Sequence, residues 1–344
     1  MTTVFVAALA AFAVSIYHLT AYLSVSHTQV VRPTSTSVAS LPGTIYFAQQ
    51  GAIYSLQNGS FHQLTPDGGW MQPAVSPDGS RLVAVKRDVD SSDLYELGTN
   101  GRGQTRLTNN STRVVENNHW AFYPRFNATG SRLYYSFDPK DPYNDYRVDF
   151  VIYAMTPPSP RSAVVWSTPN QYTGGDVEPV PVNGGLIYTK YSIDDRSAVH
   201  SQVWFQRRAG SPGIALTPAD ADCSQAAVSP DSSTLAMVCR HGALDAASLE
   251  VASLDLAQLK LGASQTLVGG QLVAWPVFSP DGKTLAYLAP TTTGGPFQLW
   301  TIPAATNTAS GAASTATPAA RPTPTRITTN LSFDSNSAPA WVAR

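Results

Sequence analysis

The chain of 344 residues carries 22 Lys and Arg against 23 Asp and Glu, a formal net charge of −1, and only 13% of its residues are charged, about half of the roughly 25% usual for soluble domains. Near-neutrality excludes a protein that holds nucleic acid through its phosphates, which requires a basic surplus. Two cysteines exclude a disulfide-dense scaffold or a multi-cysteine zinc fold, and 24 Gly and 26 Pro spread along the chain exclude a long-helix or coiled-coil protein.

In chain order, the first element is apolar. No Asp, Glu, Lys or Arg occurs from Val4 to Val25, and a helix of that length spans about 33 Å, enough for a hydrocarbon core. Residues 1–25 therefore read as a signal-anchor or signal helix, with Ser24-Val25-Ser26 as a small-x-small site for cleavage. Taken alone, the first cation, Arg32, places the following chain on the cytoplasmic side, a weak bias from a single residue. Residues 26–42, rich in Ser, Thr and Val with two prolines, read as an extended tether.

From residue 43 onward a repeat governs the sequence. Its clearest copies are Pro73-Ala-Val-Ser-Pro-Asp-Gly-Ser-Arg-Leu-Val-Ala-Val85 and Pro276-Val-Phe-Ser-Pro-Asp-Gly-Lys-Thr-Leu-Ala-Tyr-Leu288. Ala226–Val238 keeps the frame without the first Pro and the Gly, Pro124–Tyr135 has diverged, Pro179–Tyr188 is shorter, and Pro339–Arg344 is half a copy. A second element precedes most copies: Leu64-Thr65, Leu107-Thr108, Leu216-Thr217 and Ile327-Thr328. Each copy predicts a hairpin of two half-buried strands. Pro sets φ in the turn, Asp closes it with its side chain, and Gly takes the left-handed site. An aromatic-rich third strand (Leu94–Leu97, Val151–Ala154, Val203–Phe205, Phe297–Trp300) and a fourth ending in the Leu-Thr element complete a four-stranded antiparallel blade.

The copies recur at intervals of about 50 residues, stretched before the last by an Ala/Thr/Pro/Ser tract over 304–325 that reads as a disordered loop. The ends are complementary halves. Thr44–Phe47, Ala52–Leu56 and Phe61–Leu64 are second, third and fourth strands with no first strand ahead of them, and Ala338–Val342 is a first strand with nothing after it. Their pairing predicts an all-β protein over 43–344: a six-bladed β-propeller closed into a ring without exposed sheet edges, preceded by one hydrophobic N-terminal helix.

The unit Leu-Thr … Pro-x-φ-Ser-Pro-Asp-Gly, with φ apolar, resembles the PD40 (WD40-like) repeat of the TolB family over about residues 43–344. The resemblance implies a six-bladed, exported propeller that works as a partner protein. It departs from TolB proper ahead of the propeller, where a membrane segment and a tether stand in place of an α/β domain. The expectation is thus the propeller rather than a Tol–Pal role.

If Ser229 faces Ser233 across the Pro230-Asp231-Ser232 turn, counting outward by equal steps sets Cys223 opposite Cys239, which makes the pair a disulfide candidate; two small buried hydrophobes are the alternative. In this strand order, the loops leading into first strands share one face with the loops between second and third strands. That face carries the candidate ligand-binding residues Trp70, Arg87, His119, Asp176, Asp194, Arg240 and His241. Each has a plainer reading, as a Trp packed between blades or a solvated loop charge.

No Gly-x-Ser-x-Gly elbow, Walker loop or Gly-x-Gly-x-x-Gly occurs, so no catalytic residue, cofactor or metal is expected. The leading expectation is a non-catalytic extracytoplasmic binding module, held at the membrane by its N-terminal helix, that engages a protein, peptide or envelope polymer and no nucleic acid. One alternative is a metal-assisted polysaccharide lyase built on His119, His200 and His241, as the similar repeats of oligogalacturonate lyases suggest. Another is a ligand-sensing ectodomain.

Overall fold

The computed structural model describes residues 41–140, 149–167, 175–242, 245–304 and 322–343; the apolar run 1–25, nearly all of the tether and most of the 304–325 tract lie outside the described residues. The described chain is built from 25 strands. β1 (Thr44–Gln49), β2 (Ala52–Gln57) and β3 (Ser60–Gln63) open it, and β4 (Trp70–Val75), β5 (Arg81–Arg87), β6 (Ser92–Gly98) and β7 (Thr105–Arg106) form the next sheet. Then come β8 (Ala121–Phe126), β9 (Leu133–Phe137), β10 (Val151–Thr156) and β11 (Ser159–Val165), followed by β12 (Asp176–Val182), β13 (Gly185–Ile193), β14 (Val199–Gln206) and β15 (Gly213–Ala215). The fifth group is β16 (Ser224–Val228), β17 (Thr234–Cys239), β18 (Ser248–Asp255), β19 (Lys260–Leu261) and β20 (Gln265–Val268). The last is β21 (Ala274–Phe278), β22 (Thr284–Pro290), β23 (Phe297–Pro303) and β24 (Thr325–Arg326), with β25 (Ala340–Val342) at the end. Six antiparallel sheets result, five of four strands and one of five, in which β18 pairs with both β19 and β20.

The ring closes as the complementary ends require. β25 pairs with β1 in the register Thr44↔Val342, Ile45↔Trp341 and Tyr46↔Ala340. The Trp341 Nε1–H donates to Pro42 O at 2.6 Å, so the last described tether residues are tied to the closing strand. Phe333 bridges Gln49 on one side and Phe297 on the other, which joins the last blade to the first strand of the chain. First strands touch in sequence around the channel, β4 against β8, β8 against β12, β12 against β16, β16 against β21, β21 against β25, and β25 back against β4.

The hairpin turns follow from their residues. Gly79 N–H donates to Ser76 O at 2.8 Å and Ser76 N–H to Arg81 O at 2.9 Å, with Gly79 at φ 70°. The Asp78 carboxylate accepts the Ser76 hydroxyl (2.5 Å), the Ser80 hydroxyl (2.7 Å) and the Ser80 amide (3.2 Å). Those three donors hold its pKa down to about 2. Asp231 repeats all three bonds and Asp281 two of them, with Lys283 in place of the second serine; Ser232 rather than glycine stands at φ 60° in the degenerate copy.

The Leu-Thr element has an equally local meaning. In four blades the apolar residue donates its N–H to a third-strand carbonyl: Leu64 to Ile53, Leu107 to Leu94, Leu216 to Val203 and Ile327 to Leu299, each at 2.8 Å. The following Thr Oγ1 then accepts the N–H of that same third-strand residue at 2.9 to 3.0 Å. A hydroxyl thus replaces the backbone acceptor where the fourth strand runs out, and no buried amide is orphaned. Trp166-Ser167 performs the same task on Ile152 without matching the motif.

One expectation fails. The second strands of the repeat are not half-buried: Leu82, Val83, Ala84 and Val85 in β5 are all 0% exposed, and β17 is buried along its whole length. Each blade lies between two neighbours, so both faces of its sheet are covered and the inside–outside alternation disappears.

Candidate functional site

In five blades the first strand is interrupted by a bulge directly ahead of the frame's proline position, where the register slips between Met71 and Ala74, Phe122 and Arg125, Val177 and Val180, Ser224 and Ala227, and Ala274 and Val277. Proline, at that position in four of the five blades, has no N–H for the ladder and a bulge accommodates it, although the same bulge stands ahead of Ala226. The bulged residue takes left-handed backbone in every case: Gln72 (φ 52°), Tyr123 (55°), Glu178 (58°), Gln225 (55°) and Trp275 (53°). Such conformations are uncommon outside glycine; their recurrence at one level of the ring marks a built feature.

These residues form a belt across the channel. Tyr123 N–H donates to Gln72 Oε1 (2.7 Å), Gln225 N–H to Glu178 Oε2 (2.7 Å) and Trp275 N–H to Gln225 Oε1 (2.8 Å), so a bulged side chain captures the freed amide of the next blade. The last segment joins in: Trp275 Nε1–H donates to Ser335 O (2.8 Å), Gln72 N–H to Ser337 Oγ (2.6 Å) and Gln72 Nε2–H to Asn336 O (3.1 Å). Glu178 also accepts the Thr189 hydroxyl at 2.6 Å. Burial pushes the Glu178 carboxyl up, against the pull of Thr189, Gln225 and Arg125. Below the belt, Arg125 is lowered to about 10 by burial, opposed by Glu178. Burial, with Glu178 adding, keeps the Tyr123 and Tyr191 phenols protonated well above their usual range.

Above the belt opens a cavity of about 440 Å³ lined by Met71, Gln72, Arg87, Phe122, Tyr123, Phe150, Val177, Tyr191, Val199 and Asn336. Its walls are aromatic. Phe122 meets Phe150 edge-on (centroids 5.8 Å), contacts Tyr123 (6.2 Å) and stacks on Trp120 (5.8 Å). The Arg87 guanidinium stands over the Trp120 ring at 5.7 Å and is the one charged side chain among the described residues that line the cavity. A second hollow of about 620 Å³ shares Met71, Arg87 and Asn336 with the first and continues past Gly51, Gly68, Gly69, Asp88, Val89 and Asp334. Gly69 is obligatory there: at φ 84° a Cβ would lie 2.2 Å from Arg87 O.

Of the candidates read from the sequence, Arg87 alone lines the first cavity. Trp70 is no ligand platform: it is 1% exposed, packed edge-on against Tyr95 (5.3 Å) beneath the Lys86 ammonium (5.3 Å), so it only underlies the second hollow. Asp176 is buried and paired to Lys190 at 3.1 Å, with burial raising its carboxyl against that pair. His119 Nδ1 lies 2.8 Å from Asp138 O, and its ring stacks on Phe137. Asp194 and Arg240 join a rim cluster in which His200 sits between Asp194 Oδ2 and Asp222 Oδ1, each at 3.3 Å, and Arg240 reaches Asp222 at 3.8 Å. His241 pairs with Glu250 at 2.6 Å. The three histidines of the lyase alternative therefore have separate partners, and no metal-holding group of His, Cys, Asp or Glu forms among the described residues.

Cys223 and Cys239 are joined, with sulfurs 2.11 Å apart. The register that brings them together differs from equal counting. Ser229 N–H bonds Thr234 O, and Val228 faces Leu235; the bulge at Gln225 then takes up the extra residue, so that Ser224 faces Val238. The residues that reading by loop missed are Phe122, Tyr123, Phe150 and Tyr191. The signal for two of them was available, since Phe122 and Tyr123 directly precede the frame's proline, Pro124.

The geometry defines a closed six-bladed β-propeller with an aromatic cavity at one mouth. No family model and no curated protein sequence matches the chain. Among solved structures it is similar to TolB from Acinetobacter baumannii (16% identity, TM-score 0.58, covering 76% of this chain and 61% of that one). It is also similar to the putative TolB from Agrobacterium tumefaciens (11%, 0.55, 87% and 94%) and to Kuenenia stuttgartiensis hydrazine synthase (12%, 0.57, 89% and 49%). The chain thus spans about three-fifths of the Acinetobacter protein. The fold is that of a TolB-like propeller; a fold of this kind does not assign an activity.

Proposed function

We propose that this chain is a non-catalytic binding module, presented outside the cytoplasm and held at the membrane by residues 1–25, that engages a protein or peptide through the mouth of its propeller. The observation that carries the reading is the cavity above the belt: about 440 Å³, walled by Phe122, Tyr123, Phe150 and Tyr191 with Arg87 at its edge. That is the form of a recognition pocket, apolar with a few placed polar groups. The likeness to TolB structures supports the same reading at the level of fold, and near-neutral charge speaks against a polyanionic partner.

The reading is tested by site-specific photo-crosslinking in membrane preparations from the source cells. A cross-linker at Val199, 52% exposed on the mouth rim, should capture a discrete partner, and Phe122→Ala should abolish the capture. A cross-linker at Ser80, in a turn on the opposite face, should capture nothing. Equal capture from both faces overturns the proposal.

A further inference from the structure

The mouth offers a cation without an acidic partner among the described residues, where an apolar wall meets a second, acidic hollow. Arg87 lines both hollows. Its side chain rests over Trp120, and among the described residues it has no carboxylate within ion-pair distance, whereas Lys190 and Arg106 are paired to Asp176 and Asp93. Its backbone is fixed by the bond from Arg87 N–H to Gly69 O at 2.9 Å. A guanidinium in that position binds a carboxylate through paired N–H donors. On one side of it lie four aromatic rings, and on the other Asp88 and Asp334. The Asp334 carboxylate is held in place by the Gln50 amide at 3.0 Å and the Gly51 amide at 3.3 Å.

This arrangement selects among anions. The two carboxylates of the second hollow, Asp334 held by its amides and Asp88 exposed beside it, repel a ligand that carries negative charge along its length, such as an acidic peptide or a uronate polymer. A single terminal carboxylate beside an apolar side chain satisfies both halves. The second hollow, with three glycines in its wall, leaves room for the chain that precedes that terminus. Resting on the mouth-binding reading above, we infer that the ligand is the free C-terminus of a polypeptide ending in an aromatic residue: its α-carboxylate on Arg87, its ring among Phe122, Phe150 and Tyr191, and its preceding residues along the glycine-lined hollow.

The test uses the full-length chain and a fluorescein-labelled hexapeptide of Gly and Ser ending in Trp, as the free acid and as the carboxamide, read by fluorescence polarisation. The acid should bind at least about tenfold more tightly than the amide. Arg87→Gln should remove that preference while leaving the amide within about twofold, with Arg87→Lys intermediate; thermal melts establish that each variant folds. Phe122→Ala should weaken acid and amide alike. If acid and amide bind equally and only Phe122→Ala matters, the carboxylate inference is overturned while the mouth reading stands. If neither Arg87→Gln nor Phe122→Ala changes binding, or no peptide binds, both fall. If N-acetyltryptophan binds as tightly as the hexapeptide, the second hollow adds nothing and the polypeptide assignment is wrong.

Discussion

The two faces of the propeller use their residues in opposite ways. On the turn face, Ser76, Asp78, Gly79 and Ser80 bond one another and Arg81, and the copies around Asp231 and Asp281 make the same kind of local bonds. On the mouth face, the bulged residues Gln72, Glu178 and Gln225 reach into the next blade, and Arg87 is left without an acidic partner among the described residues. Uniform positions within a repeat close hairpins. Non-uniform ones, here Gln, Tyr, Glu, Gln and Trp in the same place, build the site.

This contrast can be broken or sharpened by experiment. The largest effect is expected below the belt, where Trp341 is 7% exposed and holds the closing strand. Trp341→Ala should cost about 3–5 kcal/mol, read as a lowered urea midpoint, yet leave peptide affinity unchanged at temperatures where the ring stays closed. An unaltered midpoint would mean that closure does not govern stability. Next comes the turn face itself. Gly79→Ala places a Cβ on left-handed backbone and should cost about 1–2 kcal/mol, whereas Ser232→Gly, at the same turn position in the degenerate copy, should stabilise; neither should affect binding. If both variants melt alike, turn strain is not what separates these copies.

The smallest effect concerns the rim. Hydrogen bonding to Asp194, with Asp222 adding and partial burial opposing, raises the His200 pKa above its ordinary 6.5, while Arg240 stands behind Asp222 as the remaining charge of the cluster. A raised histidine pKa contributes stability that is complete below the unfolded value and is lost as pH rises through the folded one. The Asp194 carboxyl is lowered, chiefly by the Ala198 amide, and stays charged across that window. Wild type should therefore melt above His200→Asn near pH 5.5 and together with it near pH 8. A difference independent of pH would show that His200 acts through packing alone.

Local chemistry made much of the fold legible. The turn is specified by residues two apart, so Ser-Pro-Asp-Gly could be read without knowing the rest of the chain. Likewise, Thr44–Phe47 and Ala338–Val342 are incomplete in ways that only each other could complete. The mouth was legible as a face but poorly as a site. Arg87 was found, while Trp70 and Asp176 were drawn from the right loops and turned out to be buried. Loop membership does not say which way a side chain points. The bulge that lifts Tyr123 and swings Gln72 across the channel is a break in a ladder whose other half is in the next strand, and it recurs ahead of Ala226 where no proline marks it.

Hairpin, blade and ring were thus written in the sequence, because each depends on backbone preferences and bonds made within a few residues or on matching ends. The register between Cys223 and Cys239, the burial of both sheet faces, and the convergence of Phe122, Phe150, Tyr191 and Arg87 belonged to the tertiary structure. They arise where neighbouring blades press together across about 50 residues of chain, and no local periodicity carries that information.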